Sequence, residues 1–195
     1  ERQQALANLQ HLKMSASQVG VSCDGVLRYG VTVYEEILTE VENHRIDLIV
    51  MGRRGRSGLT QWLLGSTTTK MLSRANSSLL VVPKAAPAIG KRSLVAIDGS
   101  RYGDAATTAA GHLMKCWQAS LTVLTVVTED GVKPRAEMED IVNQTVRLLQ
   151  REGISADGQV ISGDNPAASI AATAKAKGID LIIMGTHGRA GLEKW

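Results

Sequence analysis

Apolar positions along the chain fall into two kinds of run. Short apolar runs read as strands, and those apolar on both alternations as strands internal to their sheets. Ile46–Met51, Ser93–Ile97, Leu121–Val127 and Ile179–Met184 are expected to be internal, and Ser78–Val82 and Gln159–Ser162 are further strands. Val19–Tyr29 is also strand-like, interrupted by Asp24-Gly25. Longer runs with apolar residues three and four apart read as amphipathic helices. Residues 1–17 place Leu6, Leu9, Leu12 and Ala16 on one face, and Thr32–Asn43 spaces Val33, Ile37 and Val41 one turn apart. Thr67–Ala75, Asp104–Trp117 and Ala136–Arg151 are further helices; the last gathers Met138, Ile141, Val142, Thr145, Leu148 and Leu149 on one face. Asn165 and Pro166 start a helix that runs to about Lys177. Pro83 stops the strand before it, and Ala85–Gly90, with Pro87, reads as a linker. Strands alternating with helices predict an α/β fold with a parallel sheet and right-handed crossovers.

The pattern occurs twice. DLIVMGRRGRSGLTQW at 47–62 aligns with DLIIMGTHGRAGLEKW at 180–195, so Asp180 lies 133 residues after Asp47. The same offset pairs Gly20-Val21-Ser22 with Gly153-Ile154-Ser155, Asp24-Gly25 with Asp157-Gly158, Gly30 with Gly163 and Ile37 with Ile170. One ungapped offset across helices and strands marks tandem copies, and its period is that of a domain rather than of a solenoid. The copies are cut differently. Copy 1, residues 1–86, has no counterpart of the strand, helix and strand at about Lys91–Lys133. Copy 2, residues 91–195, has none of Leu63–Val82. This reads as a piece of a longer tandem protein.

Candidate chemistry lies after the strand at 46–51. Gly52, Gly55 and Gly58 recur every third residue, too many for a helix interior, and Gly65-Ser66 precedes a helix, giving G-x2-G-x9-G-S. Glycine lets backbone N–H groups approach an anion, and a helix start adds unpaired N–H donors and a partial positive charge. Ser66 can offer a hydroxyl to a phosphate, and Arg53, Arg54 and Arg56 add charge. A glycine-rich turn with Ser66 as an ordinary N-cap fits the same residues. Neither G-x-x-x-x-G-K-[ST] nor G-x-G-x-x-G is present.

Composition narrows the partners. Hydrophobic residues are 44% of 195 and aromatics 3%, without Phe, so the core is aliphatic. A formal charge of +3 without a long basic stripe or stacking aromatics argues against nucleic acid. No run approaches the roughly 20 apolar residues of a membrane span, and no signal peptide is visible, so a cytoplasmic location is expected. Cys23 and Cys116 have no metal or redox spacing and read as small core residues.

The signature at Gly52–Ser66, the strand ending Ala96-Ile97-Asp98 and the two DLI(V/I)MG strands resemble the universal stress protein family. The resemblance implies a flavodoxin-like, Rossmann-related parallel-sheet sandwich in two tandem copies, each incomplete in this chain. It further implies a stress-response regulator that binds ATP, or AMP or ADP, with Mg2+ as an optional companion. The implied nucleotide-binding residues are Met51, Gly52, Gly55, Arg56, Gly65, Ser66 and Thr67 in copy 1 and Ile97, Asp98, Val126, Met184, Gly185 and Gly188 in copy 2. Asp98 would meet the adenine or ribose, a turn residue or helix cap being its alternative role; Val126 or Val127 would flank the adenine or simply fill the core. Family members pair through the last strand, here Leu79–Val82, which implies a homo-oligomer or an intrachain pseudo-dimer. No catalytic residue or metal ligand is implied, and at most weak ATP hydrolysis. His187 reads as a solvated loop residue. The departure from the family pattern is that copy 1 has the full glycine signature without a first-strand Asp, whereas copy 2 has Asp98, Gly185 and Gly188 without Gly-Ser. Two alternatives remain: a member that acts by protein–protein contact without nucleotide, and an ATP-dependent substrate-activating enzyme, whose SGGxDS-type motif is absent.

Overall fold

The computed structural model of the chain describes residues 2–53, 65–84, 90–129 and 133–186. Two compact units divide it, Glu1–Lys84 and Ala85–Trp195.

The second unit holds β3 (Arg92–Ala96), α4 (Arg101–Trp117), β4 (Ser120–Val127), α5 (Arg135–Arg151), β5 (Ala156–Ser162), α6 (Pro166–Lys177) and β6 (Leu181–Met184); β1, β2 and α1–α3 belong to the first. Its four strands are all parallel, in the order β5-β4-β3-β6. From Leu121 to Thr125 every residue of β4 is buried, as its unbroken apolar run predicts. Val95, Ala110, Met114, Val123, Val142 and Leu149 form the core between β3–β4 and the helices α4 and α5. Gly158 lets α5 close on β5: a Cβ there would lie 2.5 Å from Val142 Cγ1 and 3.0 Å from Val146 Cγ2. At the base of the sheet the Asp180 carboxylate accepts the backbone N–H groups of Gly90, Lys91 and Arg92 at 3.0, 3.0 and 3.3 Å. One side chain thus fixes where β3 begins.

The first unit contains α1 (Arg2–Gln18), α2 (Val33–His44), β1 (Leu48–Gly52), α3 (Ser66–Arg74) and β2 (Ser78–Val82). β1 and β2 pair in parallel from Leu48↔Ser78 to Gly52↔Val82. Tyr34, Ile49 and Met71 are its buried core, joined by Ile37, Leu38 and Val41 of α2.

Several expectations need correction. Among the described residues β1 and β6 are not internal strands. Each stands at the edge of its described sheet, with Leu48 45%, Val50 60%, Ile182 41% and Met184 54% exposed. The repeat supplies the reason. β1 matches β6, yet β1 is paired with a following strand and β6 with a preceding one, so each copy displays one of the two neighbours this position takes. Overlaying β1 on β6 gives a five-stranded parallel order, β5-β4-β3-β6(β1)-β2. Val19–Tyr29 is not a strand; residues 21–30 are irregular. Its counterpart β5 is held by β4, and no described strand lies beside 21–30 to hold it. For the same reason the α1 face is uncovered, with Leu6 42% and Leu12 60% exposed, whereas its counterpart α5 buries Met138, Val142 and Leu149 over β4 and β5. Leu148, expected on that face of α5, is 54% exposed. The thiol of Cys116 is exposed near the end of α4 and that of Cys23 is half-buried, so neither is a core residue. The span expected at Gln159–Ser162 starts earlier, at Ala156, because Ala156, Asp157 and Gly158 also pair with β4. The linker residues 85–89 lie outside the described residues. Among those described, no helix is long and apolar enough to cross a membrane.

Two substitutions test the packing of the second unit. Gly158→Ala forces α5 away from β5 and lowers stability by about 1–3 kcal/mol. Ser93 is fully buried, with a hydroxyl that has no partner among the described residues. Ser93→Ala therefore leaves stability unchanged or raises it by about 1 kcal/mol. Urea unfolding of both variants measures this; a destabilised Ser93→Ala or a parent-like Gly158→Ala contradicts the packing described.

Candidate functional site

The chain steps from β3 outward to β4 and β5, then jumps back across β3 to β6. The strand order therefore reverses between β3 and β6, and in open α/β sheets the crevice beyond the carboxyl ends at such a reversal is where ligands bind. Register aligns these ends: Ala96 sits beside both Leu124 and Met184.

On the β3 side, Ile97 is 8% exposed, and its N–H donates to Leu124 O at 2.9 Å. The buried Thr125 hydroxyl donates to Ile97 O at 2.7 Å, so the backbone leading into Asp98 is fixed on both polar groups. Asp98 is half-buried, and its Oδ1 accepts the Ser100 N–H at 3.0 Å. One carboxylate oxygen thus builds the turn, which supports the turn role. Ser100 then caps α4, its Oγ accepting the Gly103 N–H at 3.3 Å. Gly99 completes the turn with φ +69°, a left-handed conformation that glycine adopts without strain.

On the β6 side, Met184 is exposed and Gly185 is half-buried. A Cβ on Gly185 would lie 2.7 Å from Tyr102 Cβ and 3.0 Å from the Tyr102 carbonyl carbon and oxygen. Glycine is required here by the first turn of α4. Val126 is half-buried near the end of β4, where the Gly163 N–H donates to Val127 O at 3.1 Å. Asp98, Ile97, Val126, Met184 and Gly185 therefore gather at one end of one sheet. Gly188 and His187 lie outside the described residues.

The first unit carries the glycine signature at the matching place. Gly52 ends β1, preceded by half-buried Met51. Past it, the Arg53 N–H donates to Val82 O at 2.9 Å and the Gly65 N–H donates to Arg53 O at 3.0 Å. Arg53 and Gly65 thus lie side by side at the carboxyl end of β1. Gly55 and Arg56, with Arg54 and Gly58, lie outside the described residues. Gly65 is the N-cap of α3 and supplies no side-chain cap; Ser66 is exposed and is the first helical residue rather than the cap, and Thr67 is half-buried. Buried Thr68 donates its hydroxyl to Gly52 O at 3.4 Å, tying the helix start to the strand end. An uncapped helix start beside a strand end presents N–H donors and partial positive charge to an anion.

Sequence reasoning missed two contributors, Thr68 and Thr125, which act through hydroxyl-to-carbonyl bonds that only tertiary placement reveals. Among the described residues no group of three or more His, Cys, Asp or Glu side chains could hold a metal.

The second unit is a parallel α/β sheet with a reversal of strand order, and in the first a glycine-rich sequence joins the strand end at Gly52 to the helix start at Ser66. The chain belongs to the universal stress protein family, whose model matches residues 1–83 and 90–195. A universal stress protein of Mycolicibacterium smegmatis is 30% identical over 204 residues, covering 94% of this chain and 68% of that protein. One from Methanocaldococcus jannaschii is 29% identical over 82 residues, 42% of this chain and 50% of that protein. The chain thus spans half the length of the archaeal relative. A solved universal stress protein from Archaeoglobus fulgidus shares the fold with TM-score 0.77 at 23% identity, covering 93% of this chain and 66% of that one.

The two roles of Asp98 separate by substitution. Asp98→Asn keeps an oxygen for the Ser100 N–H and should hold stability within about 0.5 kcal/mol, while Asp98→Ala should cost about 1 kcal/mol. Equal urea midpoints for the two variants would remove the turn role.

Proposed function

We propose that the chain is an adenine-nucleotide-binding member of its family, acting in the stress response as a regulator rather than as an enzyme. ATP, ADP or AMP is the ligand, with Mg2+ accompanying the triphosphate. Each copy is taken by itself: in copy 1 the phosphates go to Gly52, Gly65, Ser66 and Thr67, and in copy 2 the nucleoside goes to Asp98, Ile97 and Val126 with the phosphates towards Met184 and Gly185. The observation that carries this reading is the Gly65 N–H donating to Arg53 O, which sets the strand end beside a helix start that has no side-chain cap among the described residues. Backbone amides, not side chains, are the recognition device such a loop offers, which suits a phosphate. Asp98 supports the nucleoside side because a carboxylate accepts ribose hydroxyls or the adenine amino group. Assembly of copies through the edge strand β2 belongs to the same proposal. Its residues Leu79–Val82 are half-buried and apolar, and an unpaired apolar edge is an association site.

Equilibrium binding of labelled ATP to the chain tests the reading. Gly65→Val puts a branched side chain where a phosphate approaches and should weaken ATP by about tenfold or more. Ser66→Ala removes one hydroxyl and should cost about 1 kcal/mol. If Gly65→Val binds ATP as well as the parent does, the loop is only a turn, and action through protein contacts replaces nucleotide binding.

A further inference from the structure

β5 ends the sheet of the second unit, and no described strand lies beyond it. The ladder to β4 fixes which of its backbone groups face outward. The Leu121 N–H donates to Ser155 O at 2.9 Å, and the Gly163 N–H donates to Val127 O at 3.1 Å. Residues of a paired strand turn to their neighbour alternately. Ser155, Asp157, Gln159, Ile161 and Gly163 therefore face β4, and Ala156, Gly158, Val160 and Ser162 turn their N–H and C=O groups away from it.

Two side chains of α5 reach those outward positions. Gln150 Nε2 donates to Ala156 O at 2.9 Å. Arg135 donates through Nη2 to Val160 O and through Nη1 to Ser162 Oγ, both at 3.0 Å, while its Nε donates to Glu139 Oε1 at 2.8 Å. All three guanidinium nitrogens are engaged, so the fork is fixed on the strand edge. An exposed ion pair between Arg135 and Glu139 alone would need neither bond to β5. The two occupied carbonyls are four residues apart, about 13 Å, and only the Gly158 N–H, Gly158 O and the Val160 N–H lie between them. Arg135 and Glu139 also line the cleft of about 250 Å³ beside Gly158 and Val160.

An exposed strand edge is a template for the strand of another chain. We propose that Arg135 and Gln150 guard this edge against a second copy of the chain. They occupy acceptors toward both ends of β5 and leave too short a free stretch between them for another strand to add in register. The device makes β5 a non-associating edge, and any assembly of the chain goes through another surface. It is independent of nucleotide binding.

Sedimentation velocity over a concentration series, with amide hydrogen exchange, tests the assignment. The variants are Arg135→Ala, Gln150→Ala, the double variant and the control Arg147→Ala, an exposed residue of the same helix. The double variant should self-associate at about tenfold lower concentration than the parent. Each single variant should shift by less, and Arg147→Ala should match the parent. In the associated double variant the outward amides of Gly158 and Val160 should gain protection, while the inward amides of Asp157, Gln159 and Ile161 keep that of the parent. Association no stronger than the parent's overturns the proposal. So does association accompanied by faster exchange at the inward amides, which marks local unfolding of β5 rather than strand addition.

Discussion

The second unit depends on β3 being paired in parallel on both edges, with β4 on one side and β6 on the other. Parallel pairing forces each connection to cross the sheet, which covers its faces with helices and buries the strands. Pairing on both sides makes β3 the place where the strand order reverses. The turn at Asp98-Gly99-Ser100, the start of α4 and Gly185 all meet there because β3 has a neighbour on each side. Without β6, Gly185 and the first turn of α4 would have no common boundary.

Each unit displays a different part of the repeated pattern. The first shows the end of the pattern, a strand, a glycine loop and a following helix and strand. The second shows its beginning and middle. The carboxyl ends of β1 and β6 occupy equivalent positions in the repeat, and Gly-x2-Gly follows each in sequence, Gly52 and Gly55 in one copy and Gly185 and Gly188 in the other. In the second unit a carboxylate turn at Asp98 and a glycine pressed on Tyr102 stand at the end of β3 and β6.

Most of this fold was legible in the chain because periodicity reports burial, and burial in the second unit follows the pattern. The helices and the strands at 93–97 and 121–127 fall where apolar spacing places them. What failed was any inference that needed a neighbour. Ile46–Met51 and Ile179–Met184 carry the composition of internal strands, but an apolar run states only what a strand could bury, not what lies beside it. Val19–Tyr29 shows this most clearly, since a strand exists only through its partner. At the site, Asp98 and the glycine signature could be picked out from local sequence. Two meanings could not. Gly185 serves the packing of α4, and Ser66 is inside its helix rather than capping it.

The carboxylate of Asp180 binds three consecutive amides where the chain enters β3. Tension applied to the chain at Gly90 runs along β3 itself. The ladders to β4 and β6 are then loaded in shear, many bonds sharing the force, rather than opened one after another. Asp180 extends that shared grip to the first residues of the strand. In mechanical terms the second unit has a reinforced anchorage at its entry, so a pull on the preceding linker meets the most resistant direction of the sheet.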